Sequence, residues 1–147
     1  METLNQDIKS GNFKRFYLLF GEEEFLKQSY KKRLRQAVAG DDTMNYNYFE
    51  GKGLDVRELI TLANTMPFFS DRRLIMVEDS GFFKNANQQL AEYIPSIPEE
   101  TIMLFVEREV DKRGKLYKAV SKKGSVVEFT AQNEQTLTRW ILGILKT

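Results

Sequence analysis

Five short runs of apolar side chains punctuate the chain: Phe16–Phe20, Tyr46–Phe49, Leu74–Val77, Ile102–Val106 and Val126–Phe129. Four are almost continuously apolar, the pattern of strands covered on both faces of a sheet. The stretch around the second, Met44–Glu50, alternates more and carries two Asn, which predicts an edge strand. Helical periodicity lies between the runs. After Gly21 come Glu22, Glu23 and Glu24, acids that suit the positive end of a helix dipole. Leu26, Tyr30, Leu34, Ala37 and Val38 then share one face. A second helix opens at Asp55, with Glu58 three residues on, close to a capping box. Its apolar face is Val56, Leu59, Ile60, Ala63 and Met66, and Pro67 predicts its end at Met66. A last helix would carry Leu137, Trp140, Ile141, Ile144 and Leu145. Strand alternating with helix predicts an α/β layered fold with a mainly parallel sheet.

The 147 residues suit one domain, with no internal boundary, repeat or low-complexity segment. Lys plus Arg is 22 and Asp plus Glu is 21, so no whole-chain pull on nucleic acid or anionic lipid is implied. The chain has no His and no Cys. That excludes disulfides, thiolate nucleophiles, His acid–base chemistry and His or Cys metal sites. The composition leans away from an enzyme, and no catalytic residue, cofactor or metal ligand is assigned. No signal peptide is readable before Phe13, and no run reaches the roughly 20 apolar residues that span a bilayer. A cytoplasmic protein without membrane contact is the expectation.

In such folds the first strand-to-helix turn is where phosphates bind. Here Gly21 and Lys27 match the first Gly and the Lys of the phosphate-loop pattern, but Leu26 replaces its second Gly and Gln28 its hydroxyl residue. Glu22, Glu23 and Glu24 put negative charge where a triphosphate needs positive potential. An acid-capped helix start is the better reading. A nucleotide hydrolase with an atypical phosphate loop is the rival. Leu74–Asp79, an apolar strand ending in acids, carries little weight without a phosphate loop.

Two surface features carry candidate interactions. The basic run Lys112, Arg113, Lys115, Lys118, Lys122 and Lys123 includes Lys115, Lys118 and Lys122 at i, i+3 and i+7, able to share one helix face. Such a face can meet phosphates, which makes a nucleic-acid-binding α/β domain a third reading. A solvated face, with Leu116, Ala119 and Val120 as its buried side, is preferred. The other feature is Thr65-Met66-Pro67-Phe68-Phe69-Ser70-Asp71-Arg72-Arg73, a short connection between a helix and a strand. Two adjacent Phe after a proline in a tight turn cannot easily both enter one core, so at least one should be exposed. Met66, Phe68 and Phe69 then read as an apolar plug for another protein's pocket. The alternative, with one Phe under the helix and the other capping the sheet, stands beside it on physical grounds.

Four segments together resemble the N-terminal domain of the delta subunit of the bacterial DNA polymerase III clamp loader. They are Phe16–Leu26, Leu62–Glu78, Val110–Lys118 and Val126–Phe129, in the family's order over nearly the whole chain. The Met-Pro-Phe-Phe-Ser-Asp-Arg-Arg block is the most specific. The resemblance implies a degenerate AAA+/P-loop-like domain over residues 1–147, three-layered, with sheet order 5-1-4-3-2. It further implies a fragment without the family's lid and collar domains, and a core that has lost its ATP site. The implied partners are the ring-shaped sliding clamp (beta subunit), which it binds and helps open, and other clamp-loader subunits. DNA contact is expected to be weak. The family's clamp-binding positions fall on Met66, Phe68 and Phe69, with Arg72 and Arg73 as rim contacts or tip-orienting residues. The family often has Leu at the Phe68 position.

Overall fold

A computed structural model describes residues 2–84 and 87–130. The elements are α1 (Glu2–Ser10), β1 (Phe16–Gly21), α2 (Glu24–Ala39), β2 (Tyr46–Glu50), α3 (Val56–Ala63), β3 (Arg73–Glu78), α4 (Gln88–Tyr93) with a 3₁₀ turn (Ile94–Ser96), β4 (Thr101–Glu107), α5 (Lys115–Lys123) and β5 (Ser125–Phe129). The expected helix around Trp140 lies outside the described residues.

All five predicted strands form. They make one sheet in the order β2-β3-β4-β1-β5, with every neighbouring pair parallel. This is the order 5-1-4-3-2 that the resemblance implied. The period-2 alternation of side chains divides each strand between two cores. Phe16, Leu18 and Phe20 of β1, Ile75 and Val77 of β3, and Met103 and Phe105 of β4 pack with Leu59 of α3, Leu90 of α4 and Leu116 and Val120 of α5. Tyr17, Leu19, Leu74, Met76, Leu104 and Val106 face the other way, onto Leu4 of α1 and Tyr30, Leu34 and Val38 of α2. The central strands β1, β3 and β4 are buried along their whole length, as covering on both faces demands. The edge strand β2 is half-exposed.

Two boundaries differ from the sequence reading. The first helix starts only at Glu24, because Glu23 serves as its N-cap. α3 begins as expected, with Asp55 accepting from the Arg57 N–H, but it ends at Ala63 rather than Met66. Its last turn tightens: the Thr65 N–H donates to the Leu62 carbonyl, and Arg73 takes the Thr65 and Met66 carbonyls away from the helical path. Two helices were missed. In α1 only Leu4 is a buried apolar residue, and buried Asp7 accepts from the Tyr17 hydroxyl at 2.7 Å and from Lys14 Nζ at 2.8 Å. α4 is only six residues long, with Leu90 and Ala91 buried and Pro95 two residues past its end, although Asn87 supplies a regular N-cap to the Leu90 N–H.

Candidate functional site

The C-terminal ends of β1, β3 and β4 form the edge where ligands of open parallel sheets bind. Here the phosphate position beside Gly21 is occupied by the chain itself. Gly21 has φ +122°, and a Cβ there would lie 2.2 Å from the Phe129 carbonyl oxygen, so close approach of β5 accounts for this glycine without a phosphate. The first N–H groups of α2, which would cradle a phosphate, are taken by Glu23: Phe25 N–H donates to Oε1 at 3.1 Å and Leu26 N–H to Oε2 at 2.6 Å. Lys27, at the phosphate-loop lysine position, is only 1% exposed. Its Nζ donates to the carbonyls of Gly21 (3.0 Å) and Glu107 (3.3 Å) and lies 2.7 Å from Glu24 Oε1. Its charge is thus internally neutralised.

The acids at this edge are also engaged. Glu78 accepts from Gln28 (2.8 Å), Lys31 (2.8 Å) and Tyr48 (2.5 Å). Burial opposes its ionisation, but these three hydrogen bonds outweigh burial and hold the carboxyl below its usual range. Glu107 is the reverse case. Burial pushes its carboxyl up to about 7, only partly offset by donation from the Ser80 hydroxyl and N–H. Asp79 is shifted upward by burial and by the neighbouring Glu78 charge. Among the described residues no group of three or more acidic side chains is placed to hold a metal ion.

The connection from α3 to β3 stands at the opposite end of the sheet, where the strands begin. Met66 is 71% exposed, Phe68 53% and Phe69 93%. Both Phe are therefore outside the core, and their rings meet edge-on at 4.4 Å between centroids. Phe69 sits at φ +53°, a left-handed conformation that costs a non-glycine residue about 1–2 kcal/mol. The surroundings hold the loop in place. Ala63 and Asn64, just upstream, are tied down by the Thr101 hydroxyl (2.6 Å to the Ala63 carbonyl) and the Tyr93 hydroxyl (2.6 Å to Asn64 Oδ1). Ser70 Oγ bridges to the backbone of Arg72.

Arg72 and Arg73, paired in the sequence reading, have different settings. The Arg72 guanidinium lies 4.9 Å from the Phe13 ring centroid and is half-buried. Arg73 is 5% exposed and turns inward, which corrects its placement at a rim. Its Nε donates to the Thr65 carbonyl (3.2 Å), Nη2 to the Met66 carbonyl (3.3 Å) and Nη1 to Asn47 Oδ1 (3.1 Å). The fork of donors suits a residue that closes the base of a loop.

Asn45, missed in the sequence, completes the support. It is 2% exposed and precedes β2. Its Oδ1 accepts from the Phe68 N–H at 2.6 Å, and its Nδ2 donates to the Phe68 carbonyl at 2.8 Å and to Asp42 Oδ2 at 2.9 Å. The Asn45 amide and N–H hold the Asp42 carboxyl below its usual range. Met44, beside this clip, is another exposed apolar side chain.

Lys115, Lys118 and Lys122 are all exposed on α5, opposite buried Leu116 and Val120. Ala119, expected on the buried side, is half-buried. Lys112 is drawn to Glu128 at 3.1 Å and Arg113 to Asp111 at 3.3 Å. No helix among the described residues is long and apolar enough to cross a membrane.

A parallel sheet of this strand order between two helical layers defines an AAA+-like α/β domain. Two solved structures from Thermotoga maritima share the fold: a DNA polymerase III gamma subunit-related protein (16% identity, TM-score 0.58, 87% of this chain and 45% of that one) and a RuvB variant (13%, 0.51, 86% and 41%). The family model for DNA polymerase III, delta subunit, matches residues 17–130, and the chain belongs to that family. It is 27% identical to the DNA polymerase III subunit delta of Bacillus subtilis, over 97% of this chain and 45% of the relative. The structure of the Bacillus subtilis DNA clamp loader delta protein YqeN superposes with a TM-score of 0.77 at 27% identity, covering 88% of this chain and 42% of that one. The chain thus spans less than half the length of these relatives.

Proposed function

We propose that this chain is a non-catalytic clamp-loader module that docks on the DNA polymerase sliding clamp through Met66, Phe68 and Phe69 and helps open the ring during replication. The carrying observation is the exposed pair of aromatic rings on a loop that buried groups hold in a fixed shape. Holding the loop before contact limits the entropy lost on docking. Burying one Phe removes about 150–250 Å² of surface, which at about 25 cal/mol/Å² is worth roughly 4–6 kcal/mol at most. That energy favours an open ring only where the contact is better in the open state, which a plug beside the ring's subunit joint satisfies. Glu23 and Lys27 fill the place of a phosphate, so ATP-driven motion falls to other loader subunits.

Calorimetric titration of the chain against a sliding clamp from the same source tests this. Phe69→Ala is expected to weaken binding by about 2 kcal/mol or more, near thirtyfold. Phe68→Ala should cost less, since its ring is about half as available. Clamp affinity unchanged in both variants would refute the docking reading. Phosphate release from ATP that Lys27→Ala abolishes would restore the hydrolase alternative.

A further inference from the structure

We propose that Asn45 is a positioning residue for the tip: its side-chain amide fixes the backbone of Phe68 so that both aromatic rings are presented together before the partner arrives. The inference rests on the docking reading above and adds the device that makes the tip competent.

Asn45 and Phe68 are 23 positions apart, yet they exchange two hydrogen bonds, one in each direction. An amide side chain in that arrangement imitates a backbone partner in a strand ladder. It extends the β2–β3 pairing beyond its first register pair, Tyr46 with Leu74, and out to the loop. The Asn45 carbonyl accepts from the Leu74 N–H at 2.9 Å, so the residue is anchored in the sheet by its main chain while its side chain reaches the tip. Asp42 sets the amide orientation: Oδ2 takes the remaining Nδ2 donor, and Oδ1 takes the N–H groups of Met44 (3.0 Å) and Asn45 (3.1 Å). With Nδ2 shared between Asp42 and Phe68, only Oδ1 faces the Phe68 N–H.

The left-handed turn at Phe69 gives this clip a task. A non-glycine residue leaves that region readily unless its neighbours are held. Arg73 holds the upstream carbonyls of Thr65 and Met66, and Ser70 closes the downstream side. The amide of Asn45 grips Phe68 between them, directly before the strained residue. Without it the tip samples other conformations, and apparent affinity falls by the fraction of time spent in the docking shape.

The test is a double-mutant cycle read by titration against the sliding clamp from the same source, joined to hydrogen exchange of the free chain. Asn45→Ala should weaken clamp binding roughly tenfold. In a background carrying both Phe68→Ala and Phe69→Ala the same change should cost less than about twofold, because both rings it positions are gone. Exchange across residues 66–72 should accelerate while amides of β3 and β4 keep their protection. Asp42→Ala, at a half-buried position outside the core, should show the same pattern more weakly and keeps the test open where Asn45→Ala lowers the folded fraction. Wild-type affinity in Asn45→Ala and Asp42→Ala, alongside a large loss in Phe69→Ala, overturns the positioning role alone. Equal losses from Asn45→Ala in both backgrounds also overturn it, marking a general stability effect. An unchanged affinity in both Phe68→Ala and Phe69→Ala removes the docking reading and this inference with it.

Discussion

Replacing Phe69 by Ala and by Gly separates the two properties of this residue, its ring and its backbone. The ring is 93% exposed, so its removal withdraws almost nothing from the core. It loses the edge contact with Phe68, worth at most about 1 kcal/mol at an exposed site. The backbone sits at φ +53°, which strains any L side chain and leaves glycine at ease. Ala keeps that strain. Gly relieves about 1–2 kcal/mol of it and returns roughly 0.5–1 kcal/mol as added freedom of the unfolded chain. Phe69→Gly is therefore expected to lie within about 1 kcal/mol of the parent and above Phe69→Ala by about 1 kcal/mol, the reverse of the usual Ala–Gly order. For a domain of this size that difference is about 2–4 °C in Tm, measurable by differential scanning calorimetry and by urea titration. Both variants lose the ring and should lose clamp affinity alike. A Gly variant less stable than the Ala variant would refute the left-handed turn. A fall of roughly 10 °C or more in both, near 3 kcal/mol, would place the ring in the core and remove the exposed tip.

Two further outcomes follow from other parts of the molecule. The Glu107 carboxyl is raised from 4.5 to about 7 in the folded chain, so folding takes up a proton between those values. Stability is full below about pH 4.5 and falls as pH rises through 7, by up to the order of 3 kcal/mol for this group. Glu107→Gln keeps an acceptor for Ser80 and should flatten that slope in a urea-titration series from pH 5 to 8. Reversing Lys115, Lys118 and Lys122 to Glu together should leave circular dichroism and clamp affinity nearly unchanged, since all three are exposed opposite the buried side of α5. A large drop in clamp binding with intact secondary structure would move the interface to that helix.

Local pattern decided the frame. The apolar runs are long enough and short enough to be strands only, and their alternation with amphipathic stretches leaves a parallel sheet with helices on both faces. Pro67 and the two Phe beyond it predicted at least one exposed ring, while a core placement of one of them stayed open until the structure showed both outside the core. The departures from the phosphate-loop pattern at Glu22–Glu24, Leu26 and Gln28 were equally legible. What holds these parts was not. Glu23 reads as one acid among three until the structure shows its carboxylate on two helix N–H groups. Lys27 matches the lysine of a broken phosphate-loop pattern, and only the structure shows its ammonium buried among its own carbonyls. Arg72 and Arg73 are neighbours with equal charge, yet the one just before β3 lies over Phe13 and the one at its first position turns beneath the loop. Asn45 carries no local signal at all. Its partner lies 23 residues away, and only the parallel register of β2 with β3 brings the two together. Periodicity reports which side of an element is buried, because burial depends on the immediate neighbours along the chain. The partner of a buried polar side chain depends on sheet order and register, which are properties of the assembled fold.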